Sequence, residues 1–307
     1  MTSPDLVVIG AGPGGYVAAL RAAQLGQRVT LVEREHLGGI CLNWGCIPTK
    51  ALLHTADTLR RLRGAGALGL RVAEPQVDFA AVMARSRQVA QRLQRGVAQL
   101  LKRAGVTVID GQGRLERGPA VTVQKADGSA LKLAAANVIL ATGARPRALP
   151  ALPFDGDRIW HYRDALAATA LPPSLAVIGG GAIGLEFASF YATLGSRVTL
   201  VEAQDRLLPG GDAEVSAFVQ QALVRDGLAV HTGCTLAAAE RHDGGLRLQL
   251  QQGQETRAIE TERVLVAIGL LPNIEGLGLE ATAVRVEPGR VVADGWGATA
   301  EPGVWAI

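Results

Sequence analysis

The sequence predicts an α/β protein with two domains of one architecture, each built on a parallel sheet covered by helices. Its 307 residues, 48% of them hydrophobic, suffice for two separate cores. Short, continuous apolar runs of strand length lead into glycine-rich turns, as in buried parallel strands. One such strand, glycine turn and helix recurs further along the chain, which predicts that the second domain repeats the first.

The first copy starts at the apolar strand Leu6–Ile9. This strand feeds the turn Gly10-Ala11-Gly12-Pro13-Gly14-Gly15, a helix from about 16 to 25, and a second strand that ends at Glu33. Together these parts form the dinucleotide-binding fingerprint of a Rossmann-like domain. The glycines permit a tight turn and a close approach of a pyrophosphate, and the terminal acid would accept hydrogen bonds from a ribose.

The second copy starts at the strand Ala176–Ile178 and continues into Gly179-Gly180-Gly181-Ala182-Ile183-Gly184. The stretch 191–202 then repeats 22–33 almost letter for letter, so Glu202 is the counterpart of Glu33. Both copies close on a buried strand that breaks at a glycine, at 138–146 and at 264–272. We therefore predict a first domain at 1–150, a second at 151–271, and a partial return to the first at 272–307.

The coarse pattern between these markers completes both domains. It predicts helices at 79–103 and 213–226, strands at 106–110, 228–232, 291–293 and 304–307, meanders at 113–133 and 246–259, and a linker at 150–173.

Cys41 and Cys46 lie only five residues apart. Pro48 follows at a position typical of a first helical turn, which places Cys46 at a helix start, where a thiolate is stabilised. The spacing alone leaves three interpretations open: a redox disulfide, half of a zinc site, or two packed cysteines. Zinc would need two further ligands, and none clusters nearby.

Composition and charge exclude several classes. The net charge of +3 is spread along the chain, which argues against a nucleic-acid or membrane-surface partner. No apolar run reaches the length of about 18 residues that a membrane span needs, and the N-terminus lacks a basic region before its first apolar run. We therefore expect a cytoplasmic protein. The five histidines show no metal-ligand spacing, so no metal site is predicted.

Residues 38–50 read Gly-Gly-x-Cys-x-Asn-x-Gly-Cys-x-Pro-x-Lys. This segment resembles the redox-active disulfide of the pyridine nucleotide–disulfide oxidoreductases, and most closely that of the dihydrolipoamide dehydrogenases. The resemblance implies a three-layer fold with β-meanders, with FAD in the first domain and NAD in the second. A carboxylate at Glu202 also favours the 2′-hydroxyl of NAD over the 2′-phosphate of NADP.

The resemblance also implies individual roles. Cys41 would exchange with a substrate dithiol, Cys46 would face the flavin, and Lys50 would approach the flavin and pair with Glu186. The alternative for Lys50 and Glu186 is that both are ordinary helix residues without a role in the chemistry. The alternative for Cys234 is that it is a packed cysteine at the end of a strand. The implied cofactor-binding residues are Gly10, Gly12, Pro13, Gly14, Gly15, Glu33, Arg34, Gly39, Ile40, Cys41, Lys50, Gly113, Thr142, Gly143, Gly179, Gly181, Ile183, Gly184, Glu202, Cys234 and Gly269.

The implied activity is the oxidation of dihydrolipoyl groups with NAD, with lipoyl domains of 2-oxo acid dehydrogenase complexes as partners. Full-length members are homodimers. Their C-terminal dimerisation domain, which bears a His–Glu pair, would follow Ile307 and is absent here, so we expect residues 1–307 alone not to turn over dihydrolipoamide. Leu270-Leu271 also stands where many relatives have an arginine. Two alternatives are a mercuric- or glutathione-reductase-like enzyme and a non-catalytic FAD-binding fragment.

Overall fold

A computed structural model describes residues 3–307, which divide into two compact units. The first consists of the described chain up to Cys46, Val89–Arg145 and Leu271–Ile307. The second consists of Ile47–Gln88 and Pro146–Leu270. The predicted domain boundaries at 150 and 271 stay predictions, and the segment 47–88 groups with the second unit.

The described residues form seven α-helices and two short 3₁₀ helices. The α-helices are α1 (Pro13–Gln24), α2 (Gly39–Trp44), α3 (Cys46–Arg63), α4 (Phe79–Arg103), α5 (Tyr162–Ala167), α6 (Ala182–Leu194) and α7 (Ala213–Arg225), with short 3₁₀ helices at Ala65–Leu68 and Leu279–Ala281. Helix α3 begins at Cys46, as predicted. Helix α1 begins three residues before the predicted start, because the fixed φ of Pro13 suits a first helical position.

The strands are numbered in chain order. They are β1 (Leu6–Ile9), β2 (Val29–Glu33), β3 (Thr107–Asp110), β4 (Gln112–Leu115), β5 (Ala120–Gln124), β6 (Ala130–Ala134), β7 (Asn137–Leu140), β8 (Ala144–Pro146), β9 (Ile159–Trp160), β10 (Ser174–Ile178), β11 (Arg197–Val201), β12 (Ala229–His231), β13 (Thr235–His242), β14 (Gly245–Gln252), β15 (Glu255–Thr261), β16 (Arg263–Val266), β17 (Leu270–Pro272), β18 (Val286–Glu287), β19 (Arg290–Val291) and β20 (Val304–Ala306).

Each unit has a five-stranded parallel sheet, and the two sheets share one plan. The first has the order β20-β7-β1-β2-β3, and the second the order β9-β16-β10-β11-β12. In each sheet the strand before the glycine turn is central, with the strand that ends in the acid beside it. The predicted α/β class with parallel sheets is therefore confirmed.

The prediction of a linker at 150–173 is wrong in part. Strand β9 pairs with β16 and forms an edge of the second sheet, and helix α5 follows directly. His161 caps that helix, because its side chain accepts hydrogen bonds from the N–H groups of Arg163 and Asp164. A two-residue strand is too short to give a recognisable apolar run, so the sequence pattern missed it.

Antiparallel meanders complete both units: β4-β5-β6 in the first and β13-β14-β15 in the second. The prediction placed the second meander too late, because most side chains of β13 are exposed and its residues do not alternate. In each unit the meander packs its inner face on one hydrophobic core with the parallel sheet. The core side chains include Val7, Val138, Leu115 and Val123 in the first unit and Ile178, Val264, Leu246 and Leu248 in the second.

Candidate active site

The first glycine turn has a geometry that side chains would destroy. Gly10 has a φ of +101°, and an ideal Cβ atom there would lie 2.2 Å from the carbonyl oxygen of Ala141. A Cβ atom at Gly15 would lie 1.8 Å from the carbonyl oxygen of Gly10. At Gly12, by contrast, nothing lies within 4 Å of the ideal Cβ position. Helix α1 is thus packed tightly on β1, while open space remains beside its N-terminus.

Glu33 anchors this turn. One carboxylate oxygen accepts a hydrogen bond from the N–H of Ala11 at 2.7 Å, and the other accepts one from the N–H of Glu35 at 2.8 Å. A carboxylate can accept about four hydrogen bonds, so capacity remains for a ligand. The interaction of Glu33 with a ribose stays a prediction.

The first turn of α2 contacts the same glycine turn. The N–H of Gly38 donates to the carbonyl oxygen of Ala11 at 2.8 Å. A Cβ atom at Gly39 would lie 2.6 Å from the Cα atom of Gly12, so this close approach requires glycine. The start of the segment that carries Cys41 is therefore held against the start of α1.

A cavity in the first unit brings predicted residues together. Its lining consists of Ile9, Gly10, Val32, Glu33, Arg34, Gly111, Gln112, Gly113, Thr142, Asn273, Glu275 and Leu277. Five of these, at positions 10, 33, 34, 113 and 142, were predicted to bind a cofactor. The sequence reasoning missed Gln112, Asn273 and Glu275. Asn273 stands directly after the closing strand of the second repeat, but no local pattern marks it as part of this cavity.

The missed residues fasten two loops of this cavity together. The hydroxyl of Thr142 donates to the carbonyl oxygen of Asn273 at 2.7 Å, and the Asn273 amide donates to the carbonyl oxygen of Thr142 at 2.9 Å. Arg145 donates to both carboxylate oxygens of Glu275, at 2.9 and 2.7 Å. The Arg145 guanidinium holds the pKa of Glu275 below its usual value.

The second glycine turn repeats the first. Gly179 has a φ of +113°, and a Cβ atom at Gly184 would lie 1.9 Å from the Gly179 carbonyl oxygen. Glu202 is buried, and one of its carboxylate oxygens accepts from the N–H of Gly180 at 2.6 Å. Nothing lies within 4 Å of an ideal Cβ atom at Gly181. The repeat seen in the sequence is thus also a repeat of hydrogen bonds.

Cys41 and Cys46 form a disulfide, with their Cα atoms 4.7 Å apart. Cys41 lies in α2, whose residue Asn43 donates to the carbonyl oxygens of Leu37 and Gly39 at 2.9 Å each. Cys46 is the first residue of α3. The bond favours the disulfide interpretation over the zinc and packing alternatives. In residues 3–307 no group of three or more His, Cys, Asp and Glu side chains is arranged to hold a metal ion.

Lys50 and Glu186 form an ion pair within the second unit. Lys50 lies one helical turn after Cys46 on α3, and Glu186 lies on α6. Further along the same two helices, Arg60 donates to the hydroxyl of Ser189 at 2.7 Å, and Arg63 donates to the carbonyl oxygen of Thr193 at 2.8 Å. The pair is therefore part of a larger set of contacts that fixes α3 along α6.

The other predicted residues occupy varied positions. Cys234 is buried, its N–H donates to the carbonyl oxygen of Glu202 at 2.9 Å, and burial raises the pKa of its thiol. Gly143 has a φ of +64° and accepts from the N–H of Asn273, while Gly269 has a φ of +112°. The remaining ones lie in helices: Pro13 and Gly14 in α1, Ile40 in α2 and Ile183 in α6.

Comparison with known proteins identifies the family in which these features occur. Residues 4–307 match the family model described as pyridine nucleotide-disulphide oxidoreductase. The chain belongs to this family. Members of the family, the dihydrolipoyl dehydrogenases among them, use FAD and NAD. The resemblance that residues 38–50 predicted is therefore confirmed.

Individual relatives agree with this assignment. A dihydrolipoyl dehydrogenase of Zymomonas mobilis is 46% identical over 305 residues, which are 99% of this chain and 65% of the relative. One of Bacillus subtilis is 38% identical over 317 residues and is matched over 67% of its length. The chain thus spans about two thirds of the length of the curated relatives it matches.

Solved structures of family members have the same fold. LpdA from Mycobacterium tuberculosis superposes with a TM-score of 0.91 at 32% identity, covering 98% of this chain and 66% of LpdA. The HOCl-induced flavoprotein disulfide reductase RclA from Escherichia coli superposes with a TM-score of 0.82 at 27% identity, covering 99% of this chain and 65% of RclA. In the part of the chain that the structure describes, no helix is both long and apolar enough to cross a membrane.

Proposed function

We propose that this oxidoreductase is the FAD- and NAD-binding part of a dihydrolipoyl dehydrogenase, and that Cys41 and Cys46 exchange electrons with dihydrolipoyl groups. The observation that carries the proposal is the disulfide that joins α2 to the first residue of α3, in a segment whose start is held against the first glycine turn. The names of the curated relatives support the choice of substrate.

The residues of the first unit fit FAD. The backbone of Gly39 lies against Gly12 so closely that a side chain at position 39 would intrude, while open space remains at Gly12, at the N-terminus of α1. A helix N-terminus and its free N–H groups stabilise phosphate oxygens. The cavity that Glu33, Arg34 and Gly113 line is also lined by Gly10 of the same turn and suits a nucleoside. Bound FAD would supply a two-electron acceptor.

The residues of the second unit fit NAD. The open space at Gly181, in front of α6, suits a pyrophosphate, and the buried carboxylate of Glu202 suits a ribose with a free 2′-hydroxyl. A 2′-phosphate would meet that carboxylate as a like charge, which disfavours binding when both are desolvated. We therefore assign NAD rather than NADP to this unit.

The cysteine chemistry is a thiol–disulfide exchange. One dihydrolipoyl sulfur attacks Cys41 and displaces the Cys46 thiolate, and the second dihydrolipoyl sulfur then displaces Cys41 and closes the lipoyl disulfide. One S–S bond breaks and one forms, and both cysteines end reduced. In the net reaction NAD⁺ takes up two electrons and one proton as a hydride, and the other proton is released.

The start of α3 suits Cys46 as the leaving group. The positive end of the helix dipole stabilises its thiolate, and a lower thiol pKa makes a better leaving group. Lys50 adds a positive charge one turn further along the same helix, and Glu186 fixes its orientation. We propose that Lys50 and Glu186 act in this way, as partners of the redox helix.

The proposal extends to partners and location. Lipoyl domains of 2-oxo acid dehydrogenase complexes would present the dihydrolipoyl group, and we propose a cytoplasmic homodimer for the full-length enzyme. The sequence pattern argues against a nucleic-acid partner, because its charges form no basic block.

An absorbance spectrum tests the proposal. We expect the purified chain to show a flavin spectrum and anaerobic NADH to reduce it, with a long-wavelength shoulder that disappears in Cys46→Ser. NADH should act at a much lower concentration than NADPH. A chain that is loaded with FAD but takes up no electrons from NADH would contradict the proposal and favour the non-catalytic alternative. Equal action of NADH and NADPH would favour a glutathione-reductase-like enzyme.

A further inference from the structure

Leu208 has a backbone conformation that L-residues other than glycine rarely adopt. Its φ is +46°, and it is the one non-glycine residue in residues 3–307 with a positive φ. Such a conformation brings Cβ too close to the backbone, so it persists only where other contacts hold it. Leu208 follows Glu202 by six residues, in the loop between β11 and α7.

The contacts of Leu208 show what holds it. Its N–H donates to the carbonyl oxygen of Gly180 at 2.9 Å, and its own carbonyl oxygen accepts from the N–H of Gly211 at 2.7 Å. Gly180 is therefore fixed on both sides, because its N–H donates to Glu202 at 2.6 Å. The strained residue thus binds the centre of the second glycine turn.

The first unit contains the same arrangement with a glycine. Ala11 is the counterpart of Gly180: its N–H donates to Glu33, and its carbonyl oxygen accepts from the N–H of Gly38 at 2.8 Å. Gly38 also has a left-handed conformation, with a φ of +94°, which costs glycine little. A left-handed residue after the acid therefore binds the glycine turn in both units.

Because the peptide bond is planar, this hydrogen bond also orients the N–H group of the next residue. In a trans peptide, the carbonyl group of one residue and the N–H group of the next point in opposite directions. Fixing the Gly180 carbonyl on Leu208 therefore directs the N–H of Gly181 to the opposite side, at the N-terminus of α6. We propose that Leu208 is a positioning residue for nucleotide binding, which presents the Gly181 N–H to the pyrophosphate of NAD. This inference rests on the proposed NAD site.

Three substitutions separate a backbone role from a side-chain role. Leu208→Gly and Leu208→Asn make the left-handed conformation easier, whereas Leu208→Val makes it harder, because β-branched residues tolerate a positive φ least. If the backbone conformation presents the Gly181 N–H, affinity for NAD⁺ should follow that preference. If Leu208 acts through its half-buried side chain, valine should be the mildest change and glycine the most severe.

The experiment measures the Kd of NAD⁺ by isothermal titration calorimetry on the oxidised, FAD-loaded full chain. We expect Leu208→Val to raise the Kd about fivefold, because the binding-competent loop is less populated. Leu208→Gly and Leu208→Asn should keep or lower it. They should also keep or raise Tm, whereas Leu171→Gly, at a half-buried leucine without a positive φ, should lower Tm.

Two results would overturn the inference while leaving the NAD site intact. In the first, the Kd of NAD⁺ rises from the unmodified chain through Leu208→Val and Leu208→Asn to Leu208→Gly. In the second, the Kd is equal in all four proteins. Absence of NAD⁺ binding to the unmodified chain would instead overturn the proposed NAD site together with the role of Leu208.

Discussion

The two glycine turns of this chain have the same geometry but different surroundings. In both turns, an ideal Cβ atom on one glycine would lie less than 2 Å from a carbonyl oxygen, so the helix packs on its strand only because that residue is glycine. In both, the terminal acid also accepts a hydrogen bond from an N–H group of the turn. The segments that follow the acid differ between the two units. In the first unit the left-handed Gly38 opens α2 and the redox disulfide, whereas in the second the left-handed Leu208 precedes a loop without cysteines.

This difference separates binding from chemistry. In the proposed function, the strand, glycine turn and acid would hold a dinucleotide in either unit, because those contacts would be made by the backbone and one carboxylate. The proposed redox chemistry depends on the short segment between Gly38 and Cys46, which takes the place of a loop without cysteines in the second unit. The comparison therefore predicts that each function can be removed without the other.

Removal of one redox cysteine should have the largest effect. Cys46→Ser leaves both glycine turns untouched but removes the disulfide as an electron acceptor. In an anaerobic dithionite titration, the unmodified FAD-loaded chain should take up about four electrons, two for the flavin and two for the disulfide, and the variant about two. Flavin content and NAD⁺ affinity should stay unchanged. An uptake of four electrons by Cys46→Ser would contradict the assignment of this disulfide as the redox centre.

Alanine substitutions in the second glycine turn should separate packing from ligand approach. At Gly184 a new Cβ atom meets backbone, so we expect a cost of about 3 kcal/mol or more and a Tm lower by about 6–12 °C. At Gly181 the space is open, so Tm should stay unchanged while NAD⁺ affinity falls at least about tenfold, because the Cβ occupies the path of the pyrophosphate.

The control for these two variants lies in the first unit. Flavin content should stay unchanged in both Gly181→Ala and Gly184→Ala, and Gly12→Ala should lower flavin content without lowering NAD⁺ affinity. Differential scanning fluorimetry measures Tm, and isothermal titration calorimetry measures the affinity for NAD⁺. Loss of flavin in Gly181→Ala would show that the two sites are not independent, contrary to the comparison.

The sequence predicted the parts of this structure that depend on local pattern. The glycine turns, the acids and the start of α3 at Cys46 follow from spacing, because a steric requirement for glycine or a helix start leaves a mark on the sequence. Asn273 and Glu275 could not be found in this way. They meet Thr142 and Arg145 only through long-range folding, and no periodicity links positions about 130 residues apart. Leu208 was missed for a different reason, because leucine gives no sign of a left-handed backbone.

The charge of Glu202 should account for the nucleotide preference of the second unit. Glu202→Gln keeps an oxygen that can accept from the Gly180 N–H but removes the like charge that a 2′-phosphate would meet. We expect the Kd of NADP⁺ to fall by about tenfold, since like charges in a desolvated site repel strongly, with little change for NAD⁺. The matched variant Glu33→Gln should leave both values unchanged. A preference for NAD⁺ that persists in Glu202→Gln would exclude this carboxylate as its cause.

The smallest effect should come from the ion pair that only the first unit has. Arg145 contacts both oxygens of Glu275 at the edge of the cavity that we propose for FAD, whereas the residue at the same place in the closing strand of the second repeat is Leu271. Because the pair fastens two walls of the cavity, we expect Glu275→Gln to speed FAD release by no more than a few-fold, since exposed ion pairs contribute little. NAD⁺ affinity should not change.

The pH dependence of FAD release tests the same pair. Hydrogen bonds from Arg145 lower the pKa of Glu275 below its usual value of 4.5, so the carboxylate stays charged, and the pair intact, at every pH above that value. Its contribution is lost only as the pH falls through the lowered pKa. The unmodified chain and Glu275→Gln should therefore differ in the rate of FAD release, followed by flavin fluorescence, by a constant factor between pH 7 and pH 5, and the difference should disappear at lower pH. A difference that already declines between pH 7 and pH 6 would assign the effect to a histidine instead.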